Sequence, residues 1–438
     1  MPNPKMGRAK NIFFYAILVI WIYLSSELAA LAGYYIINGE PFSWSQFQSQ
    51  RLAIMQSDTP QIAQSDSSDT TGEVVVGKAQ QAVQVVHPYV GYVLDPTTMD
   101  GVSDYGFLDE RDPISPQSDD TVTVAIFGGS FAMGEAFLAQ DTLADRLKEL
   151  PQFRDKAFIV HNMAMGGYKQ PQQLLALSYF LALGAHFDVV INLDGFNEVA
   201  LPAYENTPKG VNPFFPRNWY GRVNGFRDPA MLKMIGQVSY LAERQKTWAA
   251  TFAAPPLRYS VIGNIVWLYR NNTLARQQAE QEAAFNDYEI EAKDTLSYLV
   301  TGPSFNYQND PELYQDLARV WRRSSEQMHR LCLENGCEYF HFLQPNQYVA
   351  NSKIMGAREL KIAVKDGNPY QEGVVQGYPY LIEEGHTLNT EGVRFYDLTM
   401  IFATNDEPLY IDRCCHLNKK GYEIVANTIA EFIQQELE

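Results

Sequence analysis

The stretch Thr121-Val-Thr-Val-Ala-Ile-Phe-Gly-Gly-Ser-Phe-Ala-Met-Gly134 constrains the fold more than any other part of the chain. Residues 122–127 are apolar or β-branched, with aspartates ahead of them and glycines behind. Such a short run, apolar on both alternating faces, predicts a buried strand of a parallel sheet. Gly128-Gly129 then ends the strand, because glycine lets the backbone bend sharply. Ser130 stands at the tight turn into a helix, where a serine hydroxyl is lifted clear of the sheet edge. A plain helix cap is the competing reading of the same residue.

From Ser130 onward strands and helices alternate. Ala136 to Leu150 carries leucines at helical spacing and stops at Pro151; residues 157–163 read as a second strand. Pro171 starts a helix closed by Gly184, and 188–193 is a third strand. Residues 199–309 are aromatic-rich with helical stretches and no clear buried strand, which reads as an insertion. Asp310-Pro311 opens a helix running to Asn335-Gly336, and 337–343 is a fourth strand. A polar region, 345–392, follows; Leu409-Tyr-Ile411 is expected as a short fifth strand and Gly421–Leu437 as the closing helix. Upstream, His87 to Val93 is expected to be strand-like. Repeated βαβ units imply a parallel sheet of about five strands, covered by helices on both faces through right-handed crossovers.

Ahead of this lies a different kind of sequence. Lys5, Arg8 and Lys10 precede apolar residues 12–37, interrupted only by Ser25-Ser26-Glu27. Those 26 residues suffice to cross a bilayer with some tilt. The flanking positive charges place the N-terminus in the cytoplasm and the rest outside it. A cleaved signal peptide competes, because Ala30-Leu31-Ala32 has the small-x-small form; the apolar residues continuing past it favour a retained anchor. Glu27, near the middle of the span, must be protonated, snorkel, or face a partner helix. The expected organisation is a cytoplasmic tip and anchor over 1–40, a juxtamembrane stalk over 41–86, and a folded domain over 87–438. A formal charge of −17 excludes nucleic acid as a partner. Cys332, Cys337, Cys414 and Cys415 lack zinc-ligand spacing, so neither metal nor cofactor is expected; disulfides fit the even count, with the pairing open.

In doubly wound sheets, ligands bind beyond the carboxyl ends of the strands. Four polar blocks fall there: Gly128-Gly-Ser130, Asn162-Met-Ala-Met-Gly-Gly-Tyr168, Gly195-Phe-Asn-Glu198, and Asp412-Arg-Cys-Cys-His416 with Leu-Asn-Lys-Lys-Gly-Tyr422 after it. In this order the set resembles the SGNH (GDSL-like) hydrolases, serine esterases and acyltransferases, over most of the chain from His87 apart from the insertion. The resemblance implies a three-layer α/β/α, flavodoxin-like fold. It implies Ser130 as nucleophile, His416 as base and Asp412 as the acid orienting it. The N–H groups of Ser130 and Gly167 with the Asn197 side-chain amide would form an oxyanion hole. Ester cleavage needs this kit: an activated hydroxyl, a proton acceptor, and donors aimed at the developing negative charge.

The chain departs from the family in three places. Gly129 stands for the aspartate before the serine, and Glu198 for the aspartate that follows the asparagine. The acid usually lies three residues before the histidine, but that position is Arg413, a donor that cannot accept a proton bond; Asp412 lies four before. The other histidines (87, 161, 186, 329, 341 and 386) have no motif and read as structural or surface residues.

The expected function is an exported, membrane-anchored serine esterase on acyl, first of all O-acetyl, esters. An O-acyltransferase on an envelope polysaccharide is the alternative. Trp219, Tyr220, Trp248, Trp267 and Tyr269 would suit a glycan substrate, since aromatic faces stack on sugar rings, and amphipathic helices packing on the core explain them equally well. Two rivals stand beside this. An α/β-hydrolase elbow is approached by Gly128-Gly-Ser-Phe-Ala132, with Ala132 and the chain order against it. A non-catalytic assembly protein would suit Glu27, the stalk and the insertion.

Overall fold

A computed structural model of the chain describes residues 4–56, 83–115, 118, 120–224, 229–286, 297–365 and 367–438. Most of the expected stalk, 57–82, lies outside the described residues. The chain divides into two compact units, Met1–Gln64 with Gly225–Ile290, and Ser65–Asn224 with Glu291–Glu438. The principal elements run α1 (Pro4–Asn38), α2 (Trp44–Gln56), β1 (Gln84–His87), β2 (Gly91–Leu94), β3 (Thr121–Gly128), α3 (Ser130–Leu147), β4 (Ala157–Asn162), α4 (Gln172–Leu183), β5 (Val189–Asp194) and α5 (Phe196–Leu201). They continue with α6 (Pro229–Ala253), α7 (Val261–Asn286), α8 (Asp310–Asn335), β6 (Glu338–Leu343), α9 (Pro369–Thr390), β7 (Arg394–Asp397) and α10 (Lys419–Leu437).

The larger unit is α/β. Its five strands lie in the order β4-β3-β5-β6-β7, every neighbouring pair parallel. β3 is almost wholly buried because strands flank it on both sides and helices cover its two faces. Right-handed crossovers send α3 to one face of the sheet and α4, α8 and α9 to the other. α10 packs against α3, completing the first layer. The order reverses around β3, so the chain leaves its carboxyl end toward one side and returns on the other. That is where a crevice opens in such sheets.

Two expected strands are corrected. The fifth strand is β7, a four-residue edge strand pairing Phe340–Leu343 with Arg394–Asp397. Leu409–Ile411 is no strand of the sheet: Tyr410 makes only an isolated bridge to Leu417. The backbone N–H groups of Leu409 and Tyr410 go instead to the buried Glu359 carboxylate, at 2.7 and 2.9 Å, which occupies the place of a neighbouring strand. Upstream, residues 87–93 are not one strand but span the β1–β2 hairpin: the end of β1, the turn 88–90 and the start of β2. Gly91, at φ +91°, makes the reversal, and a Cβ there would lie 2.5 Å from Pro216 Cγ.

The smaller unit is helical, built from α1, α2, α6 and α7. α2 gives part of the expected stalk a fixed helical form, and of the expected insertion only 225–290 belongs to this unit.

Candidate active site

β3 delivers Ser130 to its site. Gly128 has φ +151°, and a Cβ there would stand 2.1 Å from the Leu193 carbonyl oxygen, so only glycine permits the close approach to β5. Gly129 precedes α3 in extended conformation, and a Cβ on it would meet the Asn197 amide nitrogen at 2.1 Å. The aspartate expected before the serine therefore has no room here; the Asn197 amide fills that space.

The loop after β4 runs beside Ser130. Its backbone extends the β3 register, with Met163 N–H donating to Ile126 O at 2.9 Å and Met165 N–H to Gly128 O at 3.1 Å. Gly166 then passes so near that a Cβ on it would lie 3.9 Å from Ser130 Cβ. Gly167 has φ +82°, which leaves its N–H without a hydrogen-bond partner among the described residues. Asn197 donates one amide proton to Tyr168 O at 2.7 Å, fixing the amide plane. Thus Gly166 lies beside Ser130 and the Asn197 amide packs on Gly129, with Gly167 next in the same loop.

Residues 412–416 bring the other two groups. His416 Nε2 lies 2.8 Å from Ser130 Oγ, and His416 Nδ1 lies 2.5 Å from Asp412 Oδ2. The extra residue between acid and histidine is absorbed by a tight turn: Asp412 Oδ1 accepts from the N–H groups of Cys414, Cys415 and His416, at 2.9, 3.1 and 3.2 Å. One carboxylate thus holds its own turn with one oxygen and the imidazole with the other.

The carbonyls of that turn are pinned from outside it. Gln347 donates to Asp412 O at 3.2 Å, Tyr348 and Asn368 to Arg413 O at 2.8 and 2.9 Å, and Asn346 to Cys414 O at 3.0 Å. These residues lie in the polar region 345–392, where sequence reading found no role. Amides paired with carbonyls leave no sequence motif.

The electrostatics follow from burial and pairing. Burial alone would lower His416, but the Asp412 charge and hydrogen bond reverse this and hold the imidazole up to about 9. Burial raises Asp412, yet its bonds to His416 and the turn N–H groups keep it below the usual carboxylate value. Arg217 stands beside the site: its Cδ lies 2.5 Å from where a Gly167 Cβ would be, its charge acts on His416, and Glu205 pairs with it at 3.0 Å. Tyr92 props the glycine loop, its hydroxyl donating to Gly166 O at 2.7 Å. Neither residue carried a sequence signal.

No family model matches the chain, and no curated protein does. Solved structures do match. A GDSL-like lipase from Bacteroides thetaiotaomicron is similar at 10% identity and a TM-score of 0.34, over 73% of this chain and 91% of that one. An acetyl xylan esterase is similar at 10% identity and a TM-score of 0.31, over 72% and 100%.

Several remaining expectations have definite places. Glu198 does not face Ser130; it is buried, accepting from Gly195 N–H at 2.8 Å and Gln170 N–H at 3.1 Å, and burial together with Asp194 pushes it up to about 8. His161 pairs with Asp109 at 3.1 Å and His341 with Asp194 at 2.9 Å, both inside the core. The four cysteines are free thiols. Cys414 and Cys415 have their sulfurs 3.1 Å apart, without a bond. Trp267 is fully buried and offers no face to a sugar, while Trp219 packs with Phe215 and donates to Leu299 O at 2.8 Å.

Proposed function

We propose that the protein is an exported, membrane-anchored serine esterase of the SGNH (GDSL-like) kind. The observation carrying this reading is the contact of His416 with Ser130 through one ring nitrogen and with Asp412 through the other. Neutral His416 accepts the Ser130 proton at Nε2 as Oγ attacks the acyl carbon. Asp412 holds Nδ1 protonated, fixing the tautomer, and stabilises the imidazolium that results. The carbonyl oxygen, gaining charge, is held by the Ser130 and Gly167 N–H groups and the Asn197 amide, each worth roughly 10²–10³ in rate. His416 then returns the proton to the leaving alcohol. A second acceptor takes the acyl group: water in hydrolysis, a sugar hydroxyl in transfer.

An O-acetyl ester of a glycan is the proposed substrate class. Residues 13–38 are long and apolar enough to cross a membrane and carry the anchor reading. The test is the full chain and its Ser130→Ala form assayed on a panel of acetyl and longer acyl esters, with fluorophosphonate labelling beside it. Fast labelling and acetyl-ester turnover, both lost in the variant, are expected. An unlabelled wild-type serine would leave the assembly-protein reading in its place.

A further inference from the structure

The helical unit ties its own parts together around Glu27. Ser260 Oγ donates to Glu27 Oε1 and Val261 N–H to Glu27 Oε2, both at 2.5 Å. The partner helix for this mid-span carboxylate is therefore α7 of the same chain, met at its first turn. α1 changes character there. Phe13–Tyr15 and Ile17–Leu24 are exposed, whereas from Ser26 on one face, including Glu27, Ala30, Leu31 and Tyr34, is half-buried. α1 and α7 run on together beyond the tie, with Ala30, Gly33 and Ile37 lining one groove with Ile265, Leu268 and Tyr269.

The opening turn of α7 is closed to water by side chains. Helix starts leave backbone N–H groups without intrahelical partners. Here Glu27 takes that of Val261 and Ser260 Oγ that of Gly263 at 2.9 Å. Asn264 donates to the carbonyls of Arg258 and Ser260, at 3.1 and 2.7 Å. Arg51, buried, reaches the Asn264 side-chain oxygen. Backbone in contact with lipid must be satisfied in this internal way.

One flank of α7 then remains uncovered. Ile262, Val266 and Tyr269, spaced four and three residues apart, are 38, 47 and 77% exposed. That spacing sets them on one helical face. Asn264, Trp267 and Leu274, buried, mark a different face, where Trp267 packs on Phe47 of α2. On α1 the free face beside the groove carries Tyr35, Ile36 and Ile37, also exposed. α2, by contrast, shows Gln46, Gln48, Ser49 and Gln50 to solvent. The unit is thus apolar on one flank and polar on another, and its apolar flank continues directly into the exposed run 13–24.

We infer that the Ile262–Val266–Tyr269 face of α7 lies against the bilayer, so that α7 shares the lipid with α1 and Glu27 joins the two. This rests on reading 13–38 as a membrane span. The occupant is phospholipid, since the uncovered flank is one surface with the span itself.

The test is photo-crosslinking of the full chain in phosphatidylcholine nanodiscs, with a benzophenone amino acid placed at Leu18, Ile262, Val266 or Gln48. Lipid adducts are expected from Leu18, Ile262 and Val266 and not from Gln48. No adduct from Leu18 would remove the anchor reading itself. Adducts from Leu18 with none from Ile262 or Val266 would overturn the inference and leave the anchor standing. Glu27→Ala should cut adducts at Ile262 by at least ~3-fold while sparing those at Leu18, because the tie between the helices is gone. Unchanged adducts at Ile262 would remove Glu27 from the inference.

Discussion

The two units bury their polar groups in opposite circumstances. In the α/β unit, Asp194 sits within a closed core, accepting from Trp321 at 2.6 Å and His341 at 2.9 Å, with Ser325 on the other ring nitrogen at 2.8 Å. Layers of apolar side chains from both faces of the sheet surround that network. Among the described residues the helical unit has a small core cluster of Phe47, Phe252 and Trp267, with Tyr34, Phe42 and Trp248 packed on it, and leaves large apolar side chains outside. The difference is that the α/β unit surrounds its polar network with its own core, while the helical unit leaves an apolar flank of α1 and α7 exposed.

The largest expected effect breaks the chemistry and spares both units. Ser130→Ala should lower ester turnover by at least ~10³, with unchanged circular dichroism and melting temperature. Near-wild-type turnover would remove the serine from the reaction.

Asp412→Asn comes next, with a loss of at least ~10² in kcat and a signature in pH. The base must be neutral, and His416 is held up to about 9, so kcat/KM should rise with pH along a limb above the ordinary 6.5. Removing the carboxylate leaves burial as the largest influence, with the Arg217 charge acting the same way, and the limb should fall below 6.5. A limb that stays put, or a loss under about threefold, would mean that the backbone orients His416 and Asp412 only builds its turn. Stability runs the other way. The raised His416 contributes stability that is fully present below 6.5 and lost as pH climbs through about 9. Activity therefore grows across the window in which this stabilisation fades, and thermal melts of wild type and Asp412→Asn between those limits would show it.

Trp267→Ala sharpens the contrast from the other side. Removing a fully buried indole should cost about 3–5 kcal/mol. The loss should fall on the helical unit, read as faster amide exchange in α2 and α7 with kcat unchanged. Exchange that quickens equally in β3–β6 would deny the units separate stability.

The smallest effect is expected at Asn368, which donates to Arg413 O and caps α9 by accepting from Tyr370 N–H. Asn368→Ala should lose about 1 kcal/mol from the cap. It should also lower kcat/KM by about 3- to 10-fold through a looser 412–416 turn, with the pH limb shifted toward 6.5. A melt that drops with an unmoved limb would limit Asn368 to capping.

The sequence alone determined what depends on near neighbours. The apolar run 122–127 followed by two glycines reads as a strand ending in a tight bend, which put Ser130 at that bend while nucleophile and helix cap both stayed open. Strand–helix alternation fixed a parallel sheet, because parallel neighbours need long crossovers. Asp412 and His416 lie within one turn, and the donors that close that turn are its own N–H groups. Tertiary structure decided the rest, since it depends on contacts between distant residues. β7 is four residues on a sheet edge and gains its identity only from β6. The N–H groups of Leu409 and Tyr410 look like those of a strand until Glu359, some fifty residues away, claims them. Glu27's place in an apolar run left protonation, snorkelling or a partner helix open; nothing local could name Ser260 and Val261, more than 230 positions on. A carboxylate's need is written in its chemistry, but its partner is found only by folding.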